Sequence, residues 1–128
     1  MADLFILLNH SINEIQKKDA RNIGVKNFIV LPSELQKIWQ NISPEETRLA
    51  PFLTPVKQWL SEVAIPGDFV LIQGDFGACW LMVNFSFQKK LIPLYSTTER
   101  KVIEIENKDG SIQTIRQFKH VMFRKYGE

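Results

Sequence analysis

The chain has 128 residues, of which 45% are hydrophobic, enough for one ordinary core, so a single domain over residues 1–128 is expected. A net charge of +2 and a pI near 8.7 leave too small a basic excess for the broad face that long nucleic acid demands. The lone Cys79 excludes an internal disulfide and suits a reducing compartment. Met1-Ala2-Asp3-Leu4 lacks the positive start of a secretory signal, and the apolar runs fall short of the ~20 residues of a membrane span, so a cytoplasmic protein without a membrane partner is expected.

Leu4 to Asn9 is a short continuous apolar run that predicts a first strand buried on both faces. Ser11 with Glu14 predicts a capping box opening a helix over Ile12–Asn22, and Gly24 a stop. Asn27–Leu31 repeats the buried-strand pattern, and Pro32-Ser33-Glu34 starts a helix running through Trp39. Ser43-Pro44-Glu45-Glu46 is another helix-start signal. Leu49, Phe52, Leu53, Val56, Trp59, Leu60 and Val63 then recur at helical spacing and predict a covering helix over Arg48–Val63, irregular at Pro51 and Pro55.

After the turn Pro66-Gly67-Asp68, Phe69–Gln73 predicts a third buried strand, followed by a helix from about Ala78 to Lys89. Leu91–Tyr95 predicts a fourth strand ending in the polar run Ser96–Arg100, with Pro93 hinting at an edge or an irregular pairing. Val102–Glu106 and Ile112–Phe123 flank the turn signal Asn107-Lys108-Asp109-Gly110, so a hairpin is expected there. The helical aromatics Trp39, Phe52, Trp59, Trp80, Phe85 and Phe87 are expected in the core. The fold class is therefore α/β: a single Rossmann-like three-layer domain with a mostly parallel sheet and a C-terminal antiparallel β-hairpin.

Open parallel sheets bind ligands beyond the carboxyl ends of their strands, which selects three loops expected to converge. They are Asn9-His10-Ser11, Gln73-Gly74-Asp75-Phe76-Gly77, and Ser96-Thr97-Thr98 with Arg100. The two glycines would let the backbone approach a phosphate, although a plain tight turn capped by Asp75 reads equally well. The motif lacks the full dinucleotide glycine pattern and the phosphate-loop lysine, so no nucleotide cofactor is expected. Two distant histidines and one cysteine predict no metal site. Simple alternation in the tail places Arg116, Phe118, His120, Met122 and Arg124 on one face and Lys119, Val121, Phe123 and Lys125 on the other, either a phosphate- and base-binding strip or a solvated edge.

Three segments, Leu4-Phe5-Ile6-Leu7-Leu8-Asn9-His10, Gln73-Gly74-Asp75-Phe76-Gly77-Ala78 and Phe118-Lys119-His120-Val121-Met122-Phe123-Arg124-Lys125-Tyr126, in that order and spacing resemble a small CRISPR-associated family of type III systems, the Csx family numbered twenty. The resemblance covers nearly the whole chain. It implies a ring nuclease that linearises cyclic oligoadenylate, cyclic tetra-adenylate foremost, to switch off antiviral signalling. Physical inference assigns the roles within such an enzyme. His10 or His120 would relay a proton, and the amides near Gly74 and Gly77 with Lys119 or Arg100 would hold developing charge. Asn9, Ser11, Gln73, Asp75, Phe76, Ser96, Thr97, Thr98 and Arg124 would bind the substrate. The approximate twofold symmetry of a four-nucleotide ring suits a homodimer, with an apolar face hidden, for example along the helix of Trp80 and Phe87. The competing readings are a non-catalytic sensor or sponge for the same ligand, and a protein-interaction module built on the hairpin.

Overall fold

The computed structural model describes residues 2–128. Its elements run β1 (Ala2–Leu7), α1 (Glu14–Asn22), β2 (Val25–Val30), α2 (Ser33–Gln40), α3 (Thr54–Val63), β3 (Phe69–Ile72), α4 (Phe76–Gln88), β4 (Ile92–Glu106) and β5 (Ile112–Lys125). The five strands form one sheet in the order β2-β1-β3-β4-β5, parallel from β2 to β4 and antiparallel between β4 and β5. This is the expected mixed α/β arrangement with a terminal hairpin. None of the described helices is long and apolar enough to cross a membrane.

The sheet carries a core on each face, because β1 and β3 are buried on both sides. Phe5, Leu7, Val70 and Ile72 meet Trp39 of α2, Val56 and Leu60 of α3, and Ala78 and Met82 of α4. On the opposite face Leu4, Ile6, Phe69, Leu71, Leu94 and Phe123 pack with Ala20 of α1. Alternate residues of each strand thus feed different cores, the signature of period two.

Local chemistry shifts several expected boundaries. The cap of α1 is Asn13 rather than Ser11: its side chain accepts from the Gln16 amide at 2.9 Å, and the Gln16 side chain accepts from the Asn13 amide at 2.9 Å. Ser43–Glu46 makes a turn and no helix, with the Ser43 hydroxyl accepting from the Glu45 amide. The covering helix begins only at Thr54, since two prolines within five residues interrupt the donors that an earlier start would need. β2 is not buried on both faces; it is an edge strand, and Val30 stands exposed.

The largest correction concerns β4. It does not end at Tyr95 but continues through Ser96–Arg100 to Glu106, because β5 pairs with it from Leu94 to Glu106. Pro93 therefore sits in an inner strand, and β3 pairs with β4 over only three residue positions, Phe69–Leu71. The register slips between Thr97 and Thr98, where Thr97 faces Met122 and Thr98 faces His120. The bulge leaves Val121 unpaired and reverses the alternation below it. Phe123 consequently shares the α1 face with His120, their rings 4.5 Å apart, while Arg124 turns to Tyr95 on the α4 face. Simple alternation from Arg116 therefore fails at this point.

Candidate functional site

The strand order reverses between β1 and β3, and α1 leaves β1 on one face while α4 leaves β3 on the other. The carboxyl edge between these two strands is where such sheets open a crevice. Here a tryptophan from α2 packs against it. Trp39 Nε1 donates to the Gln73 carbonyl at 3.1 Å, and a Cβ at Gly74 would meet that same nitrogen at 3.1 Å. Gly74 adopts φ +153°, so glycine is required both by conformation and by the ring above it. Asp75 then caps α4, accepting from the Ala78 amide at 3.0 Å. The reading of this loop as a turn capped by Asp75 describes its geometry, and Gly77 packs against Leu49 inside the first turn of the helix.

Beside α4 lies a cleft of about 530 Å³ lined by Gln73, Gly74, Phe76, Cys79, Trp80, Val83, Tyr95 and Tyr126. Phe76 is 92% and Trp80 67% exposed, and Phe87 is also exposed, so these residues are surface rather than core; Phe52 lies at the surface too. The Tyr95 and Tyr126 rings stand 4.8 Å apart, and Arg124 Nη1 donates to the Tyr95 hydroxyl at 3.0 Å. Tyr126 anchors the floor by donating to the Ile72 carbonyl at 2.6 Å. Burial pushes its phenol up to about 12, and burial together with the Asp75 carboxylate pushes the Cys79 thiol up to about 11. Both groups therefore stay neutral at physiological pH.

On the α1 side a second cleft of about 770 Å³ is floored by Ile6, Phe28 and Val30 and rimmed by His10, Ser11, Lys17, Ser33, Lys37 and Gln40. Gln36 and Gln40 of α2 brace the loop after β1, donating to the Leu8 and Asn9 carbonyls at 2.7 and 3.0 Å. His10 is exposed, with Nδ1 3.0 Å from the Ser11 carbonyl. Two of the three expected loops thus line separate clefts, and the third, Ser96–Arg100, is strand and lines neither, although Gln73 and β4 do meet: Gln73 Oε1 accepts from the Ser96 amide at 2.8 Å.

His120 stands apart from both clefts. Its side chain is only 2% exposed, with Nε2 2.8 Å from Asp19 Oδ2 of α1 and Nδ1 against the Ser96 hydroxyl. A carboxylate only accepts, so Nε2 of the ring donates to Asp19. Neither cleft is lined by any of the three, and the cluster fastens α1 to the bulge of the hairpin. Replacing His120 by alanine is expected to cost about 2–3 kcal/mol, since it strands a buried hydroxyl and a carboxylate. The check is a lower urea midpoint at unchanged slope, with the α4-side cleft unaltered. Thr98, Arg100 and Lys119 lie exposed on the hairpin, and Thr97 bonds to the Met122 backbone at 3.1 Å.

Comparison with known proteins places the chain. The family described as Uncharacterized protein MJ1673 matches residues 2–124. The chain belongs to this family. A curated relative, Uncharacterized protein MJ1673 of Methanocaldococcus jannaschii, is 51% identical over 127 residues, covering 98% of each chain. No solved structure matches. The family match spans both clefts except Tyr126.

Sequence reasoning missed Asp19, Trp39, Tyr95 and Tyr126 as members of these arrangements. Tyr95 closes the expected fourth strand and Tyr126 the third resembling segment, so their aromatic character at a strand end was a usable signal. Asp19 reaches His120 across 101 residues of chain, and no local spacing announces that.

Proposed function

We propose that this chain is a ring nuclease that binds cyclic oligoadenylate, cyclic tetra-adenylate foremost, at the carboxyl edge of a Rossmann-like three-layer domain, as a cytoplasmic homodimer. The resemblance in three segments motivates the reading. The observation that carries it is the α4-side cleft, where exposed aromatic rings and Arg124 adjoin the Gly74 backbone. Adenine rings stack on such faces, and a guanidinium beside them suits a phosphate.

The chemistry needs alignment more than added reagents. A ribose 2′-hydroxyl attacks the adjacent phosphorus and gives up its proton to a base; the bond from phosphorus to the 5′-oxygen breaks, and that oxygen takes up a proton. The products are a 2′,3′-cyclic phosphate and a 5′-hydroxyl. His10 is the base in this scheme. It follows β1, the strand beside β3, so His10 and the Gly74 turn lie at the same edge of the sheet. Gln73, Asn9 and Ser11 orient the substrate, and Lys17 and Lys37 add positive charge on the His10 side.

The test is incubation with cyclic tri-, tetra- and hexa-adenylate in excess EDTA, with products separated by chromatography. Linear products ending in a 2′,3′-cyclic phosphate are expected from the tetramer. Intact rings that nonetheless raise the unfolding temperature would make the protein a sponge or sensor, since native-state binding stabilises by mass action. Intact rings without stabilisation would remove the ligand altogether.

A further inference from the structure

The hairpin leaves the domain as a bare ribbon. Between residues 98 and 119 every residue is exposed except the half-buried Ile115, so no helix or loop covers either face. Yet the ribbon carries Val102, Ile103, Ile105, Ile112 and Phe118 as exposed large apolar side chains, Phe118 at 72%. A two-stranded ribbon without a packed face is marginally stable in water. β5 is moreover the edge of the sheet, with one row of backbone donors and acceptors unpaired.

We infer that this arm is an interaction surface for a second copy of the chain, the two β5 strands pairing antiparallel about a twofold axis at Ile115. The inference rests on the arm alone and is independent of the ligand proposed above. In that register Ile112 faces the partner's Phe118, Gln113 the partner's Gln117, Thr114 the partner's Arg116, and Ile115 its own copy. Ile103 is the β4 neighbour of Ile115, so an unbroken row of four isoleucines crosses the axis. The β4 neighbours of Phe118 and Ile112 are Arg100 and Glu106, so the row through them ends in opposite charges. Arg116 stands against the partner's Thr114, whose own β4 neighbour is Glu104. Moving the axis one residue to Arg116 would set two guanidiniums face to face. The surface is thus complementary to itself in charge and shape, as an isologous interface must be. β5 has basic residues and no acidic one, so the acidic side chains of β4 supply the counter-charges.

Analytical ultracentrifugation of the wild-type protein should give twice the 14.9 kDa chain mass. Ile115→Lys opposes two ammonium groups on the axis and should return the single-chain mass, with far-UV circular dichroism and the unfolding of the core unchanged. A second variant makes the register itself testable: Ile115→Cys in a Cys79→Ala background should cross-link into a dimer under mild oxidation, because directly opposed Cβ atoms in an antiparallel pair lie about 4.5–5.5 Å apart. A wild-type protein that stays at single-chain mass up to its solubility limit overturns the inference. A dimer that survives Ile115→Lys, fails to cross-link at position 115 and dissociates on Trp80→Glu also overturns it, moving the interface to α4.

Discussion

Trp39→Ala is expected to lower the stability of the fold by about 3–5 kcal/mol, the cost of emptying a large aromatic site in a packed core. Trp39 is almost wholly buried and joins the core shared by α2, α3 and α4. It also holds the Gln73 carbonyl and roofs Gly74, so its loss frees the turn that lines the α4-side cleft. Urea unfolding should report the energetic part, and ligand-induced stabilisation the geometric part. Trp39→Phe keeps most of the volume without the N–H donor and should recover most of the energy but only part of the turn. A loss below about 1 kcal/mol for Trp39→Ala would mean that the site collapses around the gap and that the ring does not hold the turn.

His10→Ala should reduce single-turnover cleavage of cyclic tetra-adenylate by about 10²–10⁴-fold with affinity nearly unchanged, the range for a lost general base. The geometry supports this choice over His120. Nδ1 of His10 is held by the Ser11 carbonyl, which leaves Nε2 for the substrate at the rim of a cleft. Both nitrogens of His120 are occupied inside the protein. Cleavage by His10→Ala at the wild-type rate would leave substrate alignment and phosphate stabilisation as the whole of catalysis.

The fold was legible where a segment's fate depends on its own residues. Leu4–Leu7 and Phe69–Ile72 are continuous apolar runs because both faces of their strands are covered, and each was readable as such. Phe28-Ile29-Val30 looks the same in sequence, yet it lies at the sheet edge. Composition records how apolar a strand is, and its neighbours decide what is covered. The length of β4 was hidden for the same reason: Ser96–Arg100 is polar and reads as a loop, but a partner strand from the end of the chain holds it extended. Of the site, the loops after β1 and β3 were found from their position at strand ends. The support of the second loop was not, because it comes from a tryptophan that arrives from α2.

The bulge at Thr97–Thr98 makes the arm and the domain answer to different counts. Side chains in a strand alternate with period two, so one residue added to β5 above the bulge would flip its faces against β4, whereas two residues added to each strand would only alter the arm's reach. The domain's own contacts, Phe123 and Arg124 on opposite faces, lie beyond that point and would not register either change. Evolution can therefore lengthen or shorten this arm in even steps at little cost to the body that carries it. Odd steps must be compensated by a second bulge or by the loss of one.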